Sequence, residues 1–353
     1  MRILFATNHN YLPQMTGGSE SSTNDLCNEL IKLNYDVAVI SSIKEHNKIW
    51  LKNRVLSKIK KKKFVADRLL GYPVYRGWNV KQGIKEVVND FHPDVAIVQA
   101  GHPFELVNEF SRIEIPVVLY VRDIEFDKNN EKMLINKFVG FIANSKFTAQ
   151  KIKDFLGVDA LVIPPLVDPE KYIVSEKGGA VVHVGLVEKK GVEISFQLAM
   201  RRPDIPFVFV ESWVLSNDDY LNNKRKFEKL KNVTLLRRFS DMRKVYEMAK
   251  ILLVPSICEE AWGRVVTEAQ FSGIPVISSD RGGLPESVGT GGLVVSYNAH
   301  IDIWEETLSN VWDSPKLYSE LSSAALLRSQ EKDISKSFLI NTLVNYLNNH
   351  IGS

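Results

Sequence analysis

Two glutamates, Glu260 and Glu268, are separated by seven residues in the stretch ILLVPSICEEAWGRVVTEAQFSGIPVISSDRGGLPESVGTGGLVV, residues 251–295. A carboxylate accepts hydrogen bonds, and the paired hydroxyls of a sugar or ribose donate them, so the pair suits a polyol ligand. The amides of Ala261, Trp262, Gly263, Arg264 and Val265 lie between them at the opening of a helix, without intrahelical partners. Such amides receive anions. Gly263 lacks a Cβ and lets a bulky ligand approach the backbone. The residue types fit a plainer account equally well: a βαβ unit whose acidic first turn suits the helix dipole.

The elements that must hold these groups follow from the pattern. Ile251–Val254 is a short β-branched and Leu run, a buried parallel strand closed by Pro255. A loop carrying Glu259 and Glu260 leads into a helix over 263–271, with Val265, Val266, Ala269 and Gln270 partly inward. Ser272-Gly273 stops it, Ile274–Ser278 forms the next strand, and Gly282-Gly283 makes a second turn. The loop and helix start therefore fall at the carboxyl end of a parallel sheet, where open α/β sheets bind ligands.

In its surroundings the glutamate pair resembles a known signature. Pro255-Ser256, Glu260-Ala261-Trp262-Gly263-Arg264-Val265-Val266, Glu268-Ala269, Gly273-Ile274-Pro275-Val276-Ile277, Gly282-Gly283 and Glu286 are together similar to the donor site of retaining, GT-B-fold glycosyltransferases of family 4. The resemblance spans nearly the whole chain. It implies an α/β fold of two Rossmann-like, doubly wound parallel-sheet domains facing a cleft, with a C-terminal helix crossing back to the first domain. The Pro-rich run Ile163-Pro164-Pro165-Leu166-Val167-Asp168 is the natural linker. The expected division is 1–165 on the acceptor side, 166–335 for the nucleotide sugar, and 336–353 for the returning helix.

Composition sets bounds on this reading. A chain of 353 residues is long for one core and suits two domains. Hydrophobic and charged fractions of 44% and 25% are those of a soluble globular protein. A net charge of +3 gives no case for nucleic-acid binding. Cys27 and Cys258 sit in unrelated elements, which argues against a disulfide scaffold and fits a reducing compartment. MRILFAT reads as a strand rather than a signal peptide, and no run reaches the ~18 apolar residues of a membrane span. The expected location is cytoplasmic, with a peripheral place on the inner face of the membrane open to it.

The first half opens as strand, Gly-rich turn, helix and strand: Arg2–Thr7, Gly17-Gly18-Ser19-Glu20, 21–33 and 36–41. It lacks GxGxxG, so a dinucleotide fingerprint is not supported. The resemblance places Gly17, Gly18 and Glu20 near the donor phosphates and the reacting centre; a plain turn explains them as simply. Residues 44–70 hold ten Lys and Arg against two acids, a local net of +8, with Ile49, Trp50, Leu51, Val55, Leu56 and Ile59 at roughly helical spacing. Such a segment can meet an anionic membrane, guide an acidic acceptor, or stand as a solvated helix or loop. Further strands at 95–99, 116–121 and 138–143 are followed by His102, Arg122-Asp123 and Asn144-Ser145, candidates for an acceptor-side cleft. Relatives often carry His where Arg122 stands. The run Asp123-Ile124-Glu125-Phe126-Asp127 mimics an Asp-x-Asp metal site, but an acidic loop is the expected account and no metal is expected.

The second half begins with Val181–Val184, then Gly185 and Lys189-Lys190-Gly191. Relatives have Gly-Arg-Leu, three residues and Lys-Gly, with Arg and Lys clamping the donor diphosphate. Here the loop is one residue shorter and the Arg is missing, so Lys190 is the expected phosphate contact and Arg264 the candidate for the lost guanidinium. Arg238 and Phe239, after the strand Thr234–Leu236, would border the base. Helices are expected over 241–249, 303–312, 317–327 and 334–351.

The resemblance implies transfer of a sugar from a nucleoside-diphosphate donor, UDP or GDP, to a hydroxyl on a glycan, a lipid-linked carrier or a small molecule. Configuration would be retained, with no metal or cofactor. Glu260 would hold the sugar, Glu268 the ribose, and Lys190, Gly18 N–H and the amides near Arg264-Val265 the diphosphate. His102 and Arg122 complete the expected catalytic set; Gly17, Gly185, Ala261, Trp262, Gly263, Arg238 and Phe239 complete the donor set. Two rivals stand: a non-catalytic sugar-nucleotide-binding subunit, and a phosphorylase on the same fold.

Overall fold

The computed structural model describes residues 1–124 and 132–352. The chain divides into two compact units, residues 1–166 with 336–353, and residues 167–335. In the first unit, strands β1 (Arg2–Asn10), β2 (Asp36–Ser42), β3 (Val65–Asp67), β4 (Val74–Gly77), β5 (Val95–Val98), β6 (Val117–Val121), β7 (Val139–Ala143) and β8 (Leu161–Val162) make one sheet in the order β3-β4-β2-β1-β5-β6-β7-β8. Only the edge pair β3–β4 is antiparallel; the remaining neighbours pair in parallel. In the second unit, β9 (Ala180–Val184), β10 (Phe207–Val210), β11 (Val233–Leu236), β12 (Ala249–Val254), β13 (Val276–Ser279) and β14 (Gly292–Val295) form an all-parallel sheet ordered β11-β10-β9-β12-β13-β14. Each unit is thus a Rossmann-like α/β domain. In both, the strand order reverses beside the first strand, between β1 and β5 and between β9 and β12, and a doubly wound sheet opens its ligand crevice at that point.

Central strands bury both faces, as parallel sheets must: Ile3 to Ala6 and Val95 to Val98 are fully buried. Helices cover the two faces and split each core into two apolar layers. The helix Lys336–Ile351 lays Leu339, Ile340, Leu343, Val344 and Leu347 into the first unit's core with Phe5, Leu26 and Tyr120. It is pinned there by Tyr346, whose hydroxyl accepts from Phe141 N at 2.7 Å.

Two local expectations are corrected. Residues 44–70 are not one basic segment: a helix, Lys48–Lys60, gives way to strand β3. The change comes from Phe64, whose ring fills the space left by Gly77 and Gly83, where a Cβ would come within 2.5 and 2.1 Å of it. The helix expected over 241–249 is only Arg243–Tyr246. Ala180 N takes the Met248 carbonyl at 3.1 Å and draws Ala249 into β12. Pro315, by contrast, opens the helix Pro315–Ser329 at its first turn, where its missing N–H costs nothing.

Leu343 is fully buried. Leu343→Ala is expected to lower the stability of the first unit by about 2–5 kcal/mol, read as an earlier urea transition of the full chain.

Candidate functional site

The densest site lies at the carboxyl ends of β9 and β12, on either side of the crevice position of the second sheet. After β9 the chain turns at Gly185 (φ 118°), runs through a 3-10 turn, Glu188–Lys190, and turns again at Gly191 (φ 72°). Gly191 is required twice over: its φ is left-handed, and a Cβ there would lie 1.9 Å from Pro255 O. The loop after β12 is held against this turn by its backbone, Ile257 N and Cys258 N both donating to Lys189 O at 3.0 and 3.2 Å. The consequence is a meeting of side chains. Lys190 Nζ donates to Glu260 Oε1, which also accepts from Ser256 Oγ at 2.8 Å. A third loop, after β13, fixes the glutamate's backbone: Gly283 N donates to Glu260 O at 2.7 Å, and Gly282 bridges it. The Lys190 and Glu260 side chains keep 20% and 14% of their surface, enough for a ligand to reach them. The Trp213 ring, 41% exposed, has Lys189 Nζ and Lys190 Nζ at 4.3 and 5.2 Å from its centroid.

Glu268 sits deeper, on the helix Arg264–Gln270. Arg264 Nε donates to its Oε1 at 2.7 Å and Tyr246 OH to its Oε2 at 2.6 Å, while Arg264 also donates to Tyr172 OH at 2.7 Å. Burial, followed by the Glu268 charge, pushes the Tyr246 phenol well above its ordinary range and keeps it a donor. Arg264 therefore neutralises Glu268 in this structure. Trp262 is buried, with its indole N–H on Thr267 Oγ1 at 3.0 Å, and Gly263 (φ 87°) leaves room for Leu284. Ala261 and Val265 are half-buried. Arg238 and Phe239 follow β11; Phe239 packs on the core, and it is the neighbouring Arg237 that pairs with Glu211 at 3.3 Å.

In the first unit, Gly17 caps the helix Gly18–Lys32, so Gly18 is its first residue and Glu20 lies buried in its first turn. A Cβ at Gly17 would meet the Glu20 carboxylate at 2.6 Å. Arg122 is buried after β6, its NH1 donating to Ser19 O at 3.0 Å and Thr23 Oγ1 at 3.1 Å, its guanidinium 4.1 Å above the Tyr120 ring. Arg122 thereby ties β6 to the helix that Gly18 begins. His102 is exposed after β5, last of three consecutive left-handed residues, Ala100, Gly101 and His102, with φ of 52°, 62° and 54°. Ala100 and Arg122 both line a small pocket with Pro103, Tyr120 and Asp123. Among the described residues no group of three His, Cys, Asp or Glu is placed to hold a metal ion. Residues 125–127 of the acidic run lie outside the described residues.

Three residues of the second site are not evident from sequence: Tyr172, Tyr246 and His183. His183 ends inside β9, 1% exposed, its Nε2 2.6 Å from Gly185 O and its Nδ1 2.9 Å from Ser195 Oγ. A neutral ring protonated at Nε2 satisfies both contacts, and burial pushes its pKa from 6.5 to about 4, with the Lys190 charge adding to the fall. Its signal in the sequence was a polar residue inside an apolar strand.

Residues 168–328 match the family model "Glycosyl transferases group 1", and residues 16–171 match "Glycosyltransferase Family 4". Each model takes one of the two units. A D-inositol 3-phosphate glycosyltransferase of Pseudarthrobacter chlorophenolicus is 26% identical over 171 residues, 46% of this chain and 40% of that protein. Spore coat protein SA of Bacillus subtilis is 26% identical over 239 residues, 60% of this chain and 59% of that one. The chain thus spans about half the length of the curated relatives it matches. Among solved structures, Anabaena HepE in complex with UDP and glucose superposes with a TM-score of 0.77 at 17% identity, over 99% of this chain and 100% of that one. A Rickettsia africae glycosyltransferase superposes with a TM-score of 0.76 at 14% identity, over 99% and 98%. The fold is that of GT-B glycosyltransferases.

The neutral His183 generates a prediction. The unfolded ring binds a proton below about pH 6.5 and the folded one only below about 4. Stability therefore rises with pH across that window, and falls by on the order of 3 kcal/mol as pH drops through it. His183→Gln keeps one donor and one acceptor and is expected to flatten this part of the profile, measured as urea midpoints from pH 7 down.

Proposed function

We propose, for a chain whose two units match the Family 4 and group 1 glycosyltransferase models, that it moves a sugar from a nucleoside-diphosphate sugar to an acceptor hydroxyl. The meeting of Lys190 with Glu260 at the crevice of the second sheet carries this reading. An ammonium and a carboxylate held by three loops are a matched pair of charges, and a bound donor can take both. Its diphosphate accepts from Lys190, a point charge free to swing on its stem, and its sugar hydroxyls donate to Glu260. As the sugar–phosphate bond lengthens, negative charge gathers on the leaving diphosphate and positive charge on the ring. Preorganised Lys190 and Glu260 each face the charge of opposite sign, and such fixed electrostatics is usually the largest catalytic term. Gly185 and the backbone at Ala261, Gly263 and Val265 border the same crevice and complete the donor contacts in this reading. Arg238 and Phe239 stand on the base side. Glu268 would accept from the ribose hydroxyls; a carboxylate oxygen takes more than one hydrogen bond, so the bonds from Arg264 and Tyr246 do not bar this contact.

From the first unit we assign Gly17 and Gly18 to the donor phosphates and the reacting centre, and His102 and Arg122 to the acceptor side. Gly18 offers an amide at a helix start, and Arg122 sets that helix against β6. The acceptor is a hydroxyl of a glycan or a lipid-linked carrier. Retention is proposed to follow front-face attack, the donor phosphate taking the acceptor proton, with Lys190 supplying the charge that a metal would otherwise bring. An anionic partner of residues 44–70, the acceptor or a membrane surface, belongs to the same reading.

The test is release of nucleotide from labelled UDP- and GDP-sugars by the purified chain. Glu260→Ala is expected to cut turnover by roughly 100-fold or more while the thermal transition stays in place. Wild-type activity is expected to survive EDTA. Near-normal turnover by the variant, or binding without any release by the wild type, defeats the assignment.

A further inference from the structure

The helix Lys48–Lys60 has no buried residue, although a helix on an α/β unit normally covers one face. Its inward side is thin. Ile49, Trp50, Leu56 and Ser57 are half-buried, and Asn53 between them donates from Nδ2 to the Val65 and Arg76 carbonyls, each at 3.3 Å. The opposite side carries Leu51, Val55 and Ile59, which are 58%, 51% and 72% exposed. Four-residue steps turn only about 40° around a helix, so these three form one ridge. Lys52 flanks it on one side, Arg54 and Lys58 on the other, and Lys48 stands at its head. At the entrance to this helix Ile43 N donates to Gly77 O at 3.1 Å, which sets Trp78, 60% exposed, beside the loop.

Charge and apolar surface together select the partner. A soluble polyanion would pair with the lysines and leave the ridge in water. A second copy of the chain would bring the same cations face to face. An anionic bilayer meets both demands: phosphates at the cations, and the acyl boundary at Leu51, Val55 and Ile59. We propose that the outward face of Lys48–Lys60 docks on an anionic membrane surface. The contact is peripheral, since among the described residues no helix is long and apolar enough to cross a membrane. It deepens the partner assignment for residues 44–70 and rests on the sugar-transfer reading only in presenting a lipid-linked acceptor; the docking itself does not need it.

The full chain is sedimented with vesicles of phosphatidylglycerol and phosphatidylcholine, or of phosphatidylcholine alone, at rising salt. Partition onto the anionic vesicles is expected to be roughly ten-fold stronger. Changing Lys48, Lys52 and Lys58 together to Gln should weaken it by roughly five-fold per lysine. Changing Leu51, Val55 and Ile59 together to Ser should weaken vesicle binding roughly ten-fold and spare binding to inorganic polyphosphate. These side chains are exposed, so melting curves should match the wild type in both variants. The proposal is overturned if the Ser variant binds vesicles like the wild type, or if the wild type does not distinguish the two lipids. Nucleotide release assayed without vesicles keeps the two readings apart: turnover with no vesicle binding sinks the docking alone, and vesicle binding with no turnover sinks the transfer alone.

Discussion

Everything in the second unit's site depends on one backbone contact, the seating of the turn after β9 on the loop after β12. Gly191 packs on the Pro255 carbonyl at a distance no side chain tolerates, and the Lys189 carbonyl takes two amides from the facing loop. These are contacts between peptide groups, so they fix the turn without regard to side-chain rotamers. Lys190 and Glu260 meet because their backbones have already been brought together. The ion pair is thus a result of the loop geometry and contributes modestly to holding it. That order suits a site whose charged groups must change partners when a ligand arrives.

The polar groups around the site divide into those that are locked and those that are able to exchange. Arg264, Glu268, Tyr172 and Tyr246 form a buried network in which both oxygens of Glu268 have partners. Removing Arg264 or Glu268 would strand a buried charge. Lys190 and Glu260 keep solvent contact and are not so bound. His183 belongs with the locked set, for its ring holds the Gly185 carbonyl from within the sheet and so supports the turn that carries Lys190.

Much of this was legible from residue pattern. The strand-loop-helix-strand order over 251–295 follows from a short apolar run, a Gly stop and a second run, and the six parallel strands of the second sheet support it. Glu260 and Lys190 were visible as matching motif positions, although their mutual contact was not, since no local rule joins residues seventy positions apart. What failed did so for physical reasons. The charge of Lys60 to Lys63 hid β3, because burial of Phe64 in a glycine-made gap is a tertiary event. The pairing of Arg264 with Glu268 was not legible, because neither the depth of Glu268 nor the tyrosines that close the network can be read one residue at a time. The three left-handed residues from Ala100 to His102 give no signal either, since only one of them is glycine.

The chain leaves the first unit at Leu166 and re-enters it at Lys336, so the second unit is an insertion within the first. During synthesis residues 167–335 emerge complete, and their six-stranded sheet can close while the first unit still lacks Lys336–Ile351. Until that helix arrives, the apolar layer containing Phe5, Leu26 and Tyr120 has an uncovered side. The core of the first unit is therefore completed by the segment made after the whole of the second, so its assembly joins residues from both ends of the chain.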